Sequence, residues 1–406
     1  MARPFSLLIK PAGADCNLHC RYCFYLEKAD MFAAPGGLLR MSSAVLERMV
    51  ANYMATDQPN YTFGWQGGEP TLMGAGFFRN AVRLQEQYAR PGAQISNGLQ
   101  TNGTRISDEL AELFAEYNFL IGISIDGPSE LHDEFRPYES GRGSHAKVLD
   151  GLETLRRHSV DFNVLTVVNA ANVHHPKALY RYLKNELGIV WHQYIPCVEF
   201  APDGSLLPWS VDADSWGRFL CELYDEWAGD PQPASIRRFD AFMQKAAGGP
   251  PAMCSLATNC RQYFVVEHNG DVYPCDFFVE PELKLGNVTT HRFGEMWIDP
   301  TFRRFGRRKG EIPEQCRQCE FKAYCYGDCP KHRPAGGTVE RPTAAGSAGT
   351  ADHPTAAGAT VETAGEPPVS VLCGAWKRFF AHALPDLERR AAGLASRPAA
   401  PTQHAE

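Results

Sequence analysis

The sequence lacks three features that would place the protein in a membrane, outside the cell or on a nucleic acid. No stretch of its 406 residues approaches the ~18–20 consecutive apolar residues of a membrane span. The apolar run in the N-terminal segment MARPFSLLIKPAG is too short for a secretory signal peptide. The formal net charge of -7 gives no positive surface for nucleic acid or anionic lipid. We therefore expect a cytoplasmic protein that binds neither nucleic acid nor membrane.

The sequence is, by contrast, rich in cysteine, with thirteen residues of this type. Because the reducing cytosol disfavours structural disulfides, the spacing of these thiols indicates metal binding. Two of them, Cys197 and Cys221, stand apart and are interpreted as buried small hydrophobic residues. The other eleven form an N-terminal set and a C-terminal set: Cys16, Cys20 and Cys23, then Cys254, Cys260, Cys275, Cys316, Cys319, Cys325, Cys329 and Cys373.

The N-terminal set lies in one short segment, CNLHCRYCFY. Three thiolates are one too few for a closed tetrahedral metal site. They suffice for a four-iron cluster that keeps one iron open for another ligand. A zinc site completed by a distant ligand is the alternative, and the dense group between Cys316 and Cys329, taken alone, also fits a zinc ribbon.

The first 200 residues alternate short apolar runs with amphipathic segments. Six such β–α repeats predict a parallel sheet curled into a partial (β/α)6 barrel, with its chemistry at the carboxyl ends of the strands. Ser107 is the predicted N-cap of one helix. The predicted strands are 5–10, 61–66, 94–100, 119–125, 162–168 and 190–195, and the predicted helices are 42–55, 75–89, 108–117, 145–158 and 176–186.

After residue 200 the pattern changes. Two predicted helices, 212–228 and 236–247, lead into the cysteine-rich region, where FVVEHNGDVYPC reads as a hairpin with a two-residue Asn269-Gly270 turn. Residues 334–369 have almost nothing to bury and are interpreted as a flexible insertion. An amphipathic helix is expected in VLCGAWKRFFAHALPDL, followed by a disordered tail over 391–406.

The segment QGGEPT follows the second predicted strand. Its glycines would let the backbone approach a ligand closely, and Glu69 could accept a hydrogen bond from an amine. A solvated glutamate in a tight turn is the alternative. Together with the N-terminal thiols, Glu69 suggests an amino-acid-like ligand that places its own amine and carboxylate on the open iron.

At this point the sequence resembles the radical S-adenosylmethionine enzymes, and more narrowly the anaerobic sulfatase-maturating enzymes. The resemblance runs from about residue 5 to 333 and again over 370–390, and it rests on SLLIKPAGADCNLHCRYCFY, QGGEPT, LQTNGT, ISIDGP, YPCDFF and CGAWKRFF. It implies a radical barrel over 1–200, a helical connector over 201–250, and a SPASM-type domain over 251–333 and 370–390. The insertion at 334–369 departs from the family pattern.

The resemblance also implies a role for each matching residue. Cys16, Cys20 and Cys23 would hold the radical cluster, and Asp276 would act as the base, although a solvated hairpin aspartate is the alternative from the residues alone. The contacts to S-adenosylmethionine would come from Tyr22, Gly68, Glu69, Ser124, Arg136 and Val198. Two auxiliary clusters would be held by Cys254, Cys260, Cys275 and Cys329, and by Cys316, Cys319, Cys325 and Cys373.

The implied activity is oxidation of one Cys or Ser in an unfolded or nascent sulfatase segment to Cα-formylglycine (3-oxoalanine). The implied cofactors are S-adenosylmethionine and three [4Fe-4S] clusters. The expected electron donor is flavodoxin- or ferredoxin-like, and the chain is expected to be a monomer. Two alternatives stay open: another SPASM-type maturase that forms thioether or carbon–carbon cross-links in a ribosomal peptide, and a non-catalytic zinc-binding scaffold.

Overall fold

The computed structural model describes residues 4–26, 28–32, 39–334 and 366–395, and the side chains of 29–30 and 394–395 are not described. A single mixed sheet contains the strands of these residues. In chain order the strands are β1 (Ser6–Lys10), β2 (Asn60–Trp65), β3 (Gln94–Thr101), β4 (Leu120–Ser124), β5 (Phe162–Val168), β6 (Trp191–Pro196), β7 (Ser235–Ile236), β8 (Tyr263–Glu267), β9 (Asp271–Tyr273) and β10 (Gly286–Asn287).

The six predicted strands correspond to β1–β6, and each end falls within one residue of its prediction. Their order in the sheet is sequential and each neighbouring pair is parallel, as the β–α repeats predict. The complete order of the described strands is β10-β9-β8-β1-β2-β3-β4-β5-β6-β7, so the sheet is open, as in a partial barrel. This confirms the predicted α/β fold class.

Helices follow the strands on the pattern expected for crossover connections. The predicted N-cap is present, because the Ser107 hydroxyl accepts a hydrogen bond from the backbone N–H of Leu110 at 3.3 Å. The helices in the described residues are α1 (Lys28–Phe32), α2 (Ser43–Met54), α3 (Gly74–Tyr88), α4 (Asp108–Glu116), α5 (Ser129–Phe135), α6 (His145–Arg157), α7 (Pro176–Arg181), α8 (Ala213–Ala228), α9 (Arg237–Ala246), α10 (Phe293–Ile298), α11 (Pro300–Arg307), α12 (Glu314–Arg317), α13 (Lys322–Cys325) and α14 (Cys373–Ala395).

The predicted hairpin is formed by β8 and β9, but its turn differs from the prediction. The backbone N–H of Gly270 donates to the Glu267 carbonyl at 2.8 Å, and Gly270 has a φ of +88°. His268 and Asn269 are therefore the central turn residues, and Gly270 follows them in the left-handed region, which is typical of a three-residue hairpin loop. The predicted two-residue Asn269-Gly270 turn is wrong.

The hairpin also pairs with the barrel, which the sequence did not predict. Strand β8 is parallel to β1, with a register that runs from Ser6 opposite Tyr263 to Lys10 opposite Glu267. A strand from the cysteine-rich region therefore extends the barrel sheet at its β1 edge. The residues that follow the hairpin are thereby held beside the first strand of the barrel.

Aromatic packing holds the β1–β8 pair in place. The Phe264 side chain of β8 is fully buried, and its ring centroid lies 5.0 Å from that of Phe5, 5.5 Å from that of Phe293 and 4.6 Å from that of Phe302. Phe293 belongs to α10 and Phe302 to α11. These helices, which come from the C-terminal half, therefore cover the first strand of the barrel.

The C-terminal helix α14 is longer than predicted and packs on α8 and α9. It continues to Ala395, so the first five residues of the tail predicted at 391–406 are helical. Two contacts account for this extension: Ala391 is buried, and Arg390 Nε donates to Asp386 Oδ2 at 2.7 Å. Residues 335–365, most of the predicted insertion, lie outside the described residues, as do 396–406.

None of the helices in the described ranges has the length and apolar character needed to cross a bilayer.

We predict that Phe264→Ala lowers the free energy of unfolding by about 3–5 kcal/mol, because it removes a fully buried ring between β1 and helices α10 and α11. Urea unfolding of the metal-free protein, followed by circular dichroism, measures this change. Ile298→Ala is the matched control, since Ile298 lies in the same region with 58% of its surface exposed. Its effect should stay within about 0.5 kcal/mol, and equal effects of the two variants would contradict the packing described.

Candidate active site

The loop after β1 brings its three thiols to one apolar surface. Cys20 is buried and Cys16 and Cys23 are half-buried. All three pack against one cluster that includes Leu18 and Phe135. The loop is fixed to a second segment because the backbone N–H groups of His19 and Arg21 donate to the carbonyls of Pro137 and Phe135 at 2.8 and 3.0 Å. The three sequence-predicted ligands therefore share one wall.

The surroundings of the Cys16 thiol suit a metal-bound thiolate. Burial, followed by the nearby Glu69 carboxylate, raises the pKa of Cys16 to about 12, so only a bound cation would keep it ionised. Two donors already point at its sulfur: the Leu18 backbone N–H at 3.4 Å and Asn102 Nδ2 at 3.7 Å. Hydrogen bonds to cluster sulfurs of this kind are a feature of iron–sulfur sites.

Gly68 of QGGEPT lies in close contact with the backbone of the cysteine loop. A Cβ atom built on Gly68 would lie 2.0 Å from the Asp15 carbonyl oxygen. The backbone N–H of Gly68 donates to Gly13 O, and that of Glu69 donates to Asp15 O, both at 2.8 Å. In this structure the close approach is therefore between the QGGEPT loop and the cysteine loop. Gly68 fixes one loop against the other.

Glu69 is fully buried, so the alternative of a solvated turn glutamate is wrong. Its Oε1 accepts hydrogen bonds from Thr71 N at 3.0 Å, Thr71 Oγ1 at 2.6 Å and Thr101 Oγ1 at 2.8 Å. Its Oε2 accepts from the backbone N–H of Asn102 at 2.7 Å. Burial raises the pKa of Glu69, and these hydrogen bonds oppose the rise. The carboxylate is thus held rigidly near Cys16, with the two oxygens unequally engaged.

Tyr22 and Arg136 meet in a buried network around an aspartate that the sequence analysis did not single out. Arg136 Nη1 donates to Tyr22 Oη at 2.7 Å, and the Tyr22 hydroxyl donates to Asp126 Oδ2. Asp126 is fully buried, and its Oδ1 accepts from the Val167 N–H at 2.9 Å. Asp126 belongs to the ISIDGP segment directly after β4, which is the signal that could have identified it. It positions Arg136 beside the Cys20 thiol. Burial raises the pKa of Cys20 to about 11, and the positive charge of Arg136 opposes this rise.

The remaining predicted S-adenosylmethionine contacts lie where strands end. Ser124 is the last residue of β4, and its hydroxyl accepts from Gln100 Nε2 at 3.1 Å. Val198 is buried just after β6. Two buried donors, Arg136 Nε and Trp209 Nε1, have no hydrogen-bond partner among the residues that the structure describes. Unpaired buried donors at this end of the sheet fit a polar ligand that would complete them.

Asp276 lies against the barrel, and the alternative of a solvated hairpin aspartate is wrong because only 9% of its surface is exposed. Its Oδ2 accepts from Gln66 Nε2 at 3.0 Å and lies 3.9 Å from Lys10 Nζ. Its Oδ1 accepts from the Tyr263 hydroxyl at 3.2 Å. Gln66 opens the QGGEPT segment and Lys10 ends β1, so residues distant in sequence fix one carboxylate.

A second buried carboxylate accompanies Asp276. Glu267 is fully buried at the end of β8 and accepts a hydrogen bond from the Tyr25 hydroxyl. Burial raises the pKa of Glu267 to about 7, and the Lys10 charge and the Tyr25 hydrogen bond oppose the rise. The Lys10 ammonium also lies 4.2 Å above the centre of the Tyr25 ring. Lys10 is therefore the cation shared by both carboxylates.

The first predicted auxiliary set is assembled from three separate segments. Burial raises the pKa of Cys329, and Asp328, Cys254 and Cys260 raise it further. The Cys329 thiol in turn raises the pKa of Cys275, after burial and Asp276. Cys329 is thus within electrostatic range of each of the other three thiols of this set.

The second predicted auxiliary set lines one cavity. All four thiols, Cys316, Cys319, Cys325 and Cys373, form its wall. The apolar part of the lining comes from Phe321 and Trp376. In the part of the chain that the structure describes, no three Cys, His, Asp or Glu side chains are close enough to ligate a single metal ion.

The two cysteines left over from these sets behave nearly as predicted. Cys197 is buried in the apolar cluster that contains Leu18 and Phe135, so that prediction is confirmed. Cys221 of α8 is only half-buried, at the edge of the core formed with α14.

Comparisons with known proteins agree with this geometry. Residues 11–183 match the family model of the radical SAM superfamily, and residues 254–320 match that of an iron–sulfur cluster-binding domain, SPASM. The chain is 36% identical over 405 residues to a serine-type anaerobic sulfatase-maturating enzyme of Bacteroides thetaiotaomicron, covering 95% of this chain and 91% of the relative. It is 33% identical over 336 residues to a cysteine-type anaerobic sulfatase-maturating enzyme of Clostridium novyi, covering 82% and 89%.

A solved structure has the same architecture. Native anSMEcpe with bound AdoMet and Cp18Cys peptide superimposes with a TM-score of 0.82 at 30% sequence identity. The superposition covers 96% of this chain and 99% of that chain. The similarity therefore extends over both the barrel and the cysteine-rich region.

We predict that Gly68→Ala lowers the free energy of unfolding by about 1–3 kcal/mol, because the new methyl group would overlap the Asp15 carbonyl. It should also reduce the iron bound at Cys16, Cys20 and Cys23, since the two loops must separate. Urea unfolding and iron analysis after anaerobic reconstitution measure the two effects.

Gly76→Ala is the control for this variant. Gly76 lies in α3, and a Cβ there meets no atom within 4 Å. Alanine should therefore leave iron binding unchanged and stabilise the helix by up to about 1 kcal/mol. If Gly68→Ala matched Gly76→Ala in both measurements, the proposed contact between the loops would be wrong.

Proposed function

Because the chain belongs to the anaerobic sulfatase-maturating enzymes of the radical SAM superfamily, we propose that it oxidises one Cys or Ser of a sulfatase to Cα-formylglycine. The observation that carries this proposal beyond family membership is the position of Asp276. An aspartate that follows a predicted cluster ligand is fixed by Gln66 and Lys10 of the barrel. The base and the radical site are thereby joined through the same sheet.

When bound, S-adenosylmethionine and the cluster held by Cys16, Cys20 and Cys23 supply the radical that takes a hydrogen atom from the substrate Cβ. Asp276 would take the thiol or hydroxyl proton of the substrate, and the clusters that the auxiliary cysteines would hold would accept one electron. A cysteine substrate thereby becomes a thioaldehyde, and hydrolysis with one water gives formylglycine and releases sulfide. A serine substrate reaches the aldehyde directly. The barrel contributes orientation and exclusion of water.

The contacts of Asp276 support its assignment as the base. A general base must be positioned within hydrogen-bond reach of the proton that it takes. Three groups restrict the carboxylate: Gln66 Nε2 and the Tyr263 hydroxyl by hydrogen bonds, and the Lys10 ammonium by charge. Since the adjacent Cys275 is a proposed cluster ligand, the site of proton removal adjoins the site that receives the electron.

The side chains of the first 200 residues support a site for S-adenosylmethionine. Tyr22, Glu69 and Arg136 are held by buried hydrogen bonds, and Ser124 and Val198 lie at strand ends. We assign Glu69 to the amino group of the ligand, because its Oε2 has capacity for further donors beside the Cys16 thiol. Gly68 holds the backbone of this loop against the cysteine loop.

We propose three [4Fe-4S] clusters, held by the three sets of cysteines described above. The support is the grouping of the thiols: three on one apolar wall, three within electrostatic range of Cys329, and four around one cavity. The N-terminal set has three thiolates and each auxiliary set has four. Four thiolates complete a cluster, whereas three leave one iron open.

The partners follow from this chemistry. The peptide substrate is an unfolded or nascent sulfatase segment, consistent with the peptide bound in the anSMEcpe structure. A flavodoxin- or ferredoxin-like protein would supply the electron for the radical cluster. We place the protein in the cytoplasm, because eleven reduced thiols are needed as ligands and a reducing compartment preserves them. We also propose that the chain acts as a monomer.

Anaerobically reconstituted protein should contain about twelve irons per chain, four for each cluster. Replacing Cys16, Cys20 and Cys23 together by alanine should remove about four of them and abolish cleavage of S-adenosylmethionine. Cys221→Ala is the control and should keep the full iron content, since Cys221 lies outside the three sets. An unchanged iron content in the triple variant would refute the assignment of these ligands.

Asp276→Asn should keep its iron and still cleave S-adenosylmethionine, because the amide keeps the shape and one acceptor oxygen of the carboxylate but cannot take the proton. Formylglycine should fall by roughly 10²–10⁴-fold, the range for loss of a positioned base. Chromatography of 5′-deoxyadenosine and mass spectrometry of the peptide measure the two products separately.

Asp271→Asn is the matched control for this variant, since Asp271 lies on the same hairpin with a similar exposure of 8%. It should keep both products coupled. Formylglycine formed by Asp276→Asn at the parental rate would show that another group is the base.

A further inference from the structure

The segment between Cys325 and Cys329 has an unusual backbone. Tyr326, Gly327 and Asp328 are consecutive, and their φ values are +46°, +75° and +59°. Left-handed conformations are unfavourable for residues other than glycine and persist only where the surroundings impose them. Under the proposed function, Cys325 and Cys329 bind different auxiliary clusters, so this three-residue link joins the two sites directly.

Two cations, the buried Lys309 and the half-buried Arg333, hold the three carbonyls of the link. Lys309 Nζ donates to Tyr326 O at 3.0 Å and to Asp328 O at 2.5 Å. Arg333 Nε donates to Gly327 O at 2.9 Å. Lys309 is fully buried, although lysine is almost never buried without a partner. These donors account for the stability of the left-handed link.

The Lys309 ammonium lies beside one proposed ligand of each auxiliary set. It donates to the carbonyl of Tyr326, which follows Cys325 of the second set, and to the carbonyl of Asp328, which precedes Cys329 of the first set. The nearby Asp328 carboxylate is engaged elsewhere, since its Oδ2 accepts from His332 Nδ1 and Ser370 Oγ, both at 2.8 Å.

We propose that Lys309 is a positioning residue of the auxiliary domain: it clamps the link between the two cluster sites and supplies a fixed positive charge that favours the reduced form of both clusters. The inference rests on the proposed assignment of the cluster ligands. A buried positive charge stabilises an added electron more than an exposed one does, because water screens it less. The reaction requires an electron acceptor, and Lys309 would tune the domain for that role.

The test compares variants in the chain that lacks Cys16, Cys20 and Cys23, so that only auxiliary clusters contribute. Lys309→Gln removes the charge but keeps an amide donor, and Lys309→Arg keeps both charge and donors. Lys377→Met is the control, because Lys377 is an exposed lysine at the rim of the second cluster cavity. Iron and sulfide content are measured first, followed by midpoint potentials in a titration monitored by electron paramagnetic resonance.

Lys309→Gln should shift the reduction equilibrium at least tenfold toward the oxidised clusters, about 59 mV for a one-electron couple. Lys309→Arg and Lys377→Met should both shift it less than this. If the glutamine variant loses iron and the arginine variant keeps it, the clamp is supported as well, because a charged donor is then required.

The proposal would be overturned if iron-loaded Lys309→Gln had the midpoint potentials of the parent chain. It would also be overturned if Lys309→Arg shifted the midpoint potentials as far as Lys309→Gln does, or if both variants lost iron. Failure of the proposed ligand assignment is distinguishable, because the parent chain of this series would then contain no auxiliary iron.

Discussion

The parallel pairing of β1 with β8 is the constraint on which the proposed active site depends. It joins the first strand of the barrel to a hairpin that begins more than 250 residues later in the chain. Lys10, at the end of β1, lies opposite Glu267, at the end of β8, and its ammonium also reaches Asp276 at 3.9 Å. Because Phe264 is buried between helices α10 and α11 and the first strand, the hairpin has little freedom to move relative to the barrel. The site therefore requires both the barrel and the cysteine-rich region, which the sheet joins.

Buried polar groups set the geometry around this junction. Glu69, Asp126 and Asp276 are all removed from solvent, and each is fixed by donors from more than one segment. Such networks are costly when incomplete and specific when complete. They fit a reaction in which a hydrogen atom, a proton and an electron leave one substrate residue in different directions. Under the proposed function, S-adenosylmethionine bound beside the cysteine loop would supply the group that takes the hydrogen atom, Asp276 would take the proton, and clusters held by the auxiliary cysteines would take the electron.

The sequence predicts the fold well because the β–α pattern is local: all six predicted barrel strands end within one residue of the observed ends. The family resemblance, read from short motifs, is confirmed by a relative whose alignment covers 95% of the chain. What the sequence could not predict depends on long-range contacts. Nothing local in FVVEHNGDVYPC shows that the hairpin pairs with β1, and nothing local in QGGEPT shows that Gly68 lies against the Asp15 carbonyl. Asp126 and Lys309 were missed because a single charged residue has no periodicity, and only the tertiary structure reveals that each is fully buried.

The central claim, that barrel and hairpin together oxidise the Cβ of a sulfatase residue, is tested most directly with a labelled peptide. A sulfatase peptide with its target Cys or Ser dideuterated at Cβ is incubated anaerobically with reconstituted enzyme, S-adenosylmethionine and dithionite. Mass spectrometry should find one deuterium in 5′-deoxyadenosine for each formylglycine formed, and the other retained on the aldehyde carbon. A cross-linked peptide without an aldehyde, or 5′-deoxyadenosine free of deuterium in the presence of formylglycine, would contradict the account.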